Sequence, residues 1–268
     1  MPEGHTIHRL AADHRERFGG LAVRAGSPQG KFSDGAALLD GRVMETAEAH
    51  GKHLFLGFGA TGWVHVHLGL IGTYRFGTGL APLPADTVRL RIATPEHYAD
   101  LRGPAACALV TEPEKQAIHD RLGPDPLRPG DDPGRVHARL ARSRISVAAL
   151  LLDQKVIAGV GNVYRAEVLF RHHVDPFLPG RDLPRPVWDA MWADLVALMR
   201  QGVRNNRIDT VRPEYEPEAM GRPPRVDDHG GEVYVYRRTG QPCLVCGTPV
   251  RTQVLAARNL FWCPTCQS

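Results

Sequence analysis

The residues of this chain with the most reactive chemistry stand at its two ends. The chain opens MPEGHTIHR. Removal of Met1 would leave Pro2 as a secondary amine able to attack an electrophilic carbon, with the Glu3 carboxylate beside it to move protons. The same opening also reads as an ordinary tail, since chain termini are where order is usually lost. Near the other end, Cys243 and Cys246 form one CxxC pair, and Cys263 and Cys266 form a second after sixteen intervening residues. Two such knuckles suit one tetrahedral zinc ion held by four thiolates. Four protein ligands leave no open position for water, so this Zn2+ is expected to be structural and to fold a hairpin too small to fold alone. Arg258 falls near the tip of that hairpin, where a guanidinium can reach a phosphate.

Three further stretches carry chemistry less plainly. AGVGNVY (158–164) is a glycine turn between helical runs. It lacks both the Lys-Ser/Thr of a phosphate loop and the spacing of a dinucleotide fingerprint. Helix, turn and helix is also a DNA-binding layout, in which backbone N–H groups and the Asn162 side chain bind one phosphate; a plain helix connection has the same appearance. HGKHLFLGF places Lys52 at the entry to an apolar run, either as a functional cation or as a surface lysine with a buried stem. Lys52 is one of four lysines, with Lys31, Lys115 and Lys155. Thirteen histidines offer no HExxH-like ligand set, although His5 and His8 share a helix face and His65 and His67 a strand face, so no catalytic metal is expected.

The elements that must position these groups divide the chain in three. With 268 residues and a formal charge of +4, it has room for a large core and for more than one domain. IHRLAADHRERF reads as an amphipathic helix just after Pro2. From about residue 20 to 112, alternating runs such as 64–76 and 87–94 argue an antiparallel sandwich or barrel. LGPDPLRPGDDPGR (122–135) reads as a linker, and the chain beyond it is helical. Ser146 is the expected N-cap, and Val187, Trp188, Met191, Trp192, Leu195, Val196 and Met199 the packed face of a long helix. Residues 213–231, rich in Pro, Arg and Gly, read as an irregular loop. No apolar run is long enough for a membrane span and no signal peptide is present, so the cytoplasm is the expected location. The cysteine pattern suits metal binding in a reducing compartment.

Taken in order, Pro2-Glu3-Gly4, Gly51-Lys52-His53, HLGLIG (67–72), LGPDPL (122–127), GVGNVYRAE (159–167), GQPC (240–243) and the four cysteines resemble the formamidopyrimidine-DNA glycosylase and endonuclease VIII family over nearly the whole chain. The resemblance implies an α+β protein: an N-terminal antiparallel β-sandwich domain with an N-terminal helix (1–121), a helical helix-two-turn-helix domain (122–231), and a C-terminal β-hairpin zinc finger (232–268). It implies a bifunctional glycosylase and lyase acting as a monomer on double-stranded DNA that contains oxidised bases or abasic sites, in a bacterial cytoplasm and associated with the nucleoid. Pro2 would be the nucleophile and Glu3 the proton shuttle, and Lys52, Asn162 and Arg258 would clamp phosphates. Lys155 is grouped with the DNA-binding residues. Leu70 stands at the wedge that enters the base stack, followed by Ile71; Arg102 matches the arginine of a second void-filling loop in which Pro104 replaces an aromatic residue. These departures resemble the endonuclease VIII branch and oxidised pyrimidines. The alternatives are a preference for 8-oxoguanine, or a damage-sensing protein without turnover on the same scaffold.

Overall fold

The computed structural model describes residues 2–226 and 231–268. The chain forms two units, meeting in sequence between Arg121 and Leu122. The first begins with α1 (Gly4–Phe18), β1 (Leu21–Ala22), β2 (Arg24–Gly26), α2 (Ser33–Leu39) and β3 (Val43–Met44). It continues with β4 (Thr46–His50), β5 (His53–Gly57), β6 (Trp63–His67), β7 (Thr73–Thr78), β8 (Val88–Ala93), β9 (His97–Arg102), β10 (Ala106–Val110) and α3 (Glu112–Arg121). Two antiparallel four-stranded sheets, ordered β10-β6-β5-β4 and β2-β8-β9-β7, make the expected sandwich. Strand alternation builds its core: Leu54, Leu56, Val64 and Val66 of one sheet meet Leu90, Ile92, Ala99 and Leu101 of the other, together with Ile7, Leu10 and Phe18 of α1. Arg15 donates to the Ala47 carbonyl, joining the last turn of α1 to β4.

The outer face of β4-β5-β6 is unusual. His53 pairs with His67 across β5 and β6, and Phe55 with His65, so the rings of His67, His53, His65, Phe55, His119 and His50 stack with centroids 4.8 to 5.1 Å apart. His53 Nδ1 lies 2.8 Å from His65 Nε2, and His50 Nδ1 2.8 Å from His119 Nδ1. Burial, with the neighbouring imidazoles and Arg121, pushes His53 down to about 3. Lys115 of α3 completes this face, 2.8 Å from a Glu48 carboxylate oxygen and over the ring of Trp63. The sequence placed His65 and His67 on one face correctly, but gave no sign of the stack.

The second unit contains α4 (Pro133–Leu140), α5 (Val147–Leu150), α6 (Asn162–Arg171), α7 (Arg185–Asn205), α8 (Pro217–Met220) and the hairpin β11 (Arg251–Leu255) and β12 (Arg258–Trp262). Trp188, Met191, Leu195 and Met199 of α7 are buried as expected, Val196 lies only half in, and Leu198 takes part instead. Three expectations are corrected. Residues 122–135 are not a loose tether: residues 123–126 are buried, and the Ala158 N–H donates to the Pro124 carbonyl. Ser146 occupies the N-cap position of α5 as expected, without a side-chain capping bond. The helix expected around it is two short ones, α4 capped by the Asp132 side chain and α5 of a single turn. Within 213–226, α8 and an ion pair from Arg222 to Glu232 at 2.6 Å replace irregular chain, while the expectation for 227–230 lies outside the described residues.

Among the described residues no helix is long and apolar enough to cross a membrane. His14 is fully buried, its Nδ1 2.6 Å from the Leu10 carbonyl and its ring edge-on to Tyr74 and Phe76. Burial pushes it down to about 4, against a smaller opposing pull from that carbonyl. A base depressed in the folded state favours folding above its unfolded pKa, and this contribution declines as pH falls from there toward the folded value. Urea denaturation should therefore show wild type losing about 2 kcal/mol relative to His14→Phe between pH 6.5 and 5. A gap independent of pH would contradict the buried neutral imidazole.

Candidate active site and metal centre

Pro2 is half-buried and Glu3 has no exposed surface. Glu3 is the N-cap residue of α1 in extended conformation, its carbonyl accepting from the Thr6 N–H at 3.0 Å. Its side chain does not cap the helix. His5 follows, buried; desolvation, with the positive charge of the terminal amine and His8, pushes it down to about 4, so it is neutral at physiological pH. The expectation that Met1 is removed concerns a residue outside the described ones. Lys52 sits on the two-residue turn between β4 and β5, where Gly51 has φ +57°, a left-handed conformation that glycine adopts without cost. The Lys52 carbonyl is 2.9 Å from His67 Nδ1, which anchors the turn to β6. Both strands beside this turn pack against α1, the helix that Pro2 and Glu3 begin.

Leu70 and Ile71 project from the turn between β6 and β7, at 62% and 81% exposure. The turn is closed by the Gly72 N–H on the Leu68 carbonyl at 3.1 Å, and the Ala105 N–H approaches the same carbonyl at 3.4 Å. The β6–β7 turn and the loop after β9 are therefore neighbours. Arg102, at the end of β9, is 3.5 Å from Asp100, whose carboxylate is already gripped at two points by Arg91 at 2.6 and 2.7 Å. Pro104 is buried, so at this loop the exposed apolar groups are those of the neighbouring turn.

In the second unit Lys155 is exposed on the turn between α5 and α6, its N–H donating to Asp153 at 2.9 Å. Gly159 takes φ +87° and Gly161 caps α6, so the glycines do form the expected turn. Asn162 is the first residue of α6, buried, its amide nitrogen donating to the Asn259 carbonyl at 2.9 Å. Arg258 opens β12, exposed, just after a hairpin turn in which Ala256 and Ala257 have φ +51° and +57°. That pair of positive values gives the twist a two-residue hairpin needs.

The four cysteine sulfurs lie within 4.8 Å of one another. Cys243 and Cys266 are 3.9 Å apart and Cys246 and Cys263 3.4 Å apart, bracketing the edge of about 3.8 Å that a tetrahedron with 2.3 Å metal–sulfur bonds requires. The donor set and its spacing fit a metal ion with a closed shell of thiolates.

Two residues that matter here escaped assignment from sequence. Glu167 is fully buried, and its carboxylate accepts from the Thr210 hydroxyl and from the backbone N–H groups of Tyr234, Val235 and Tyr236, at 2.6 to 2.9 Å. It pins to α6 the segment leading into the finger. Arg165, also fully buried, donates to the Asn162 side-chain oxygen and to the Asn259 carbonyl. The available signal was a pair of charges in NVYRAEVLF, a helix otherwise almost wholly apolar.

A two-sheet unit followed by a helix-turn-helix unit with a four-cysteine hairpin defines a DNA-repair glycosylase architecture, and comparison with known proteins agrees. Residues 1–107 match the formamidopyrimidine-DNA glycosylase N-terminal domain, 122–212 the formamidopyrimidine-DNA glycosylase H2TH domain, and 240–268 the zinc finger found in FPG and IleRS. The chain is 50% identical over 272 residues to Endonuclease 8 1 of Mycobacterium tuberculosis, covering all of both proteins. It is 31% identical to formamidopyrimidine-DNA glycosylase of Gloeobacter violaceus, covering 100% of this chain and 96% of that one. A Lactococcus lactis Fpg complexed with DNA containing an abasic site shares the fold, with TM-score 0.78 over 99% of each chain at 20% identity. The chain belongs to the formamidopyrimidine-DNA glycosylase and endonuclease 8 family of base-excision-repair glycosylases.

The metal centre is directly testable. Elemental analysis of the purified protein should find one metal ion per chain, and Cys246→Ser should lose it together with amide protection in β11 and β12. A hairpin equally protected without metal would show that the cysteines do not hold it.

Proposed function

We propose that the protein is a bifunctional DNA glycosylase and abasic-site lyase acting on oxidised pyrimidines in double-stranded DNA. The observation that carries this reading is the burial of Glu3 directly ahead of α1, with Pro2 half-buried beside it: residues that would be a tail in most chains are part of the folded unit. After loss of Met1, the Pro2 nitrogen attacks C1′ of an everted nucleotide, and the base departs with the electrons of its glycosidic bond and takes up the proton that the nitrogen sheds. Glu3 delivers a proton to the sugar ring oxygen, the ring opens, and the nitrogen is left as an iminium to C1′. A proton then leaves C2′ for Glu3, and the electrons expel the 3′ phosphate; a second elimination expels the 5′ phosphate, and hydrolysis of the iminium frees Pro2. A terminal amine titrates near about pH 8, and desolvation lowers that value, raising the fraction of free base.

Lys52, Asn162 and Arg258 each serve backbone phosphates, holding the strand and stabilising the departing groups. Lys155 adds a cation on the exposed turn before α6. Leu70 and Ile71 enter the stack where the base has left it, and Arg102 flanks the neighbouring loop. The metal is zinc, held by Cys243, Cys246, Cys263 and Cys266, and its function is to fold the hairpin that carries Arg258. The pyrimidine preference rests on the wedge: the buried Pro104 offers no aromatic ring to fill the gap, leaving two aliphatic side chains to do so. Likeness to Endonuclease 8 1 over the full length supports this branch. The protein acts as a monomer.

Borohydride should trap a covalent adduct with abasic-site DNA, and peptide mapping should place it on Pro2. Glu3→Gln should slow excision of an intact lesion far more than cutting at a preformed abasic site, because only the first must expel a base. A trapped adduct on Lys52 would assign the lyase to another amine; absence of any adduct or product would favour a damage sensor. Side by side, duplexes with thymine glycol or dihydrouracil should be cut faster than 8-oxoguanine opposite cytosine, and the reverse order would place the chain with the purine-preferring branch.

A further inference from the structure

Arg165 is a guanidinium buried in the middle of α6, in a run where residues 162–170 are all buried. Removing such a charge from water is costly unless hydrogen bonds replace its hydration. Its two terminal nitrogens are directed at a particular set of oxygens. One terminal nitrogen donates to the Asn162 side-chain oxygen and, at 3.0 Å, to the Asn259 carbonyl; the other lies 3.5 Å from the Ala148 carbonyl of α5. The first of these fixes which way the Asn162 amide faces, because an oxygen engaged by Arg165 forces the amide nitrogen to point elsewhere. That nitrogen donates to the same Asn259 carbonyl at 2.9 Å, so both acceptor positions of one peptide oxygen are filled from α6. Asn259 adjoins Arg258 in β12, and Leu255 pairs with Arg258 at the last rung before the turn. Most of β11 is exposed, so packing does little to fix the hairpin tip.

We propose that Arg165 is a positioning residue that fixes the aim of Arg258: by orienting the Asn162 amide and, with it, saturating the Asn259 carbonyl, it sets the register of the hairpin tip that presents the phosphate-binding guanidinium. This rests on the phosphate role proposed for Arg258. The rigid, planar guanidinium holds one terminal nitrogen against two acceptors while the other faces the Ala148 carbonyl, a combination that a lysine ammonium on a flexible stem does not reproduce, so charge alone at this position is insufficient.

The test uses the full-length, metal-loaded protein and a duplex containing a tetrahydrofuran abasic-site analogue. Affinity is measured across salt concentrations for wild type, Arg258→Ala, Arg165→Lys and the double variant, with Arg165→Gln as a second replacement. Loss of one phosphate contact should lower the slope of log affinity against log salt by about one unit. Arg258→Ala and Arg165→Lys should each show this loss, and the double variant should lose no more than either alone. Metal content and thermal midpoint report whether each variant folds. A wild-type slope in Arg165→Lys, or additive losses in the double variant, would overturn the positioning role while leaving the phosphate role of Arg258 standing. A wild-type slope in Arg258→Ala would remove that phosphate role and the positioning role with it. Loss of metal or of cooperative melting in both Arg165 variants would show that the residue holds the fold instead.

Discussion

Everything proposed for this enzyme depends on immobilising a chain terminus. Terminal residues ordinarily fray, because few contacts offset the entropy of ordering them. Here α1 begins at Gly4 with no slack after Glu3, and Ile7, Leu10, Ala11 and Phe18 commit the helix to the sandwich core. Arg15 fastens its far end to Ala47 of β4. A secondary amine at residue 2 thus inherits the rigidity of a packed helix, which is what a nucleophile needs if it is to meet a sugar carbon at one angle and distance. Glu3, between that residue and the helix, is fully buried.

The second unit solves a related problem at the opposite end of the chain. A two-stranded hairpin is marginal alone. This one is held from below by four cysteines and by Glu167, whose carboxylate gathers three consecutive backbone N–H groups of the segment entering it. Toward the tip, Arg165 and Asn162 converge on one carbonyl. Beside four cysteines placed to bind a metal, a carboxylate–amide and a guanidinium–carbonyl interaction act on this hairpin and the segment entering it. The last two originate in α6, which explains why so apolar a helix keeps Arg165 and Glu167 fully buried.

What the sequence made legible was local. Ligand spacing is encoded within a few residues, so the four-cysteine centre could be read directly, and strand alternation in β6 and β8 revealed the sheets. The seven-residue α2, SDGAALL, escaped because two turns with Leu38 and Leu39 adjacent present too little periodicity. Residues 122–135 misled because Pro, Gly and Asp suggest a tether whether or not the backbone is bonded; here the Asp125 side chain accepts from the Leu127 N–H at 2.8 Å and residues 123–126 are buried. The histidine stack depends on the register between β5 and β6, and the Arg165 contacts join positions 94 residues apart. Neither is written in any window of sequence. The motif-level resemblance indicated the family, and the relatives agree.

The central claim is that the reacting amine is that of Pro2, and intact mass spectrometry of fully active purified protein tests it most directly. The account predicts a mass lacking Met1, with Pro2 as the first residue. A homogeneous preparation that retains Met1, bears no free proline amine and still excises bases and cuts the strand would contradict it.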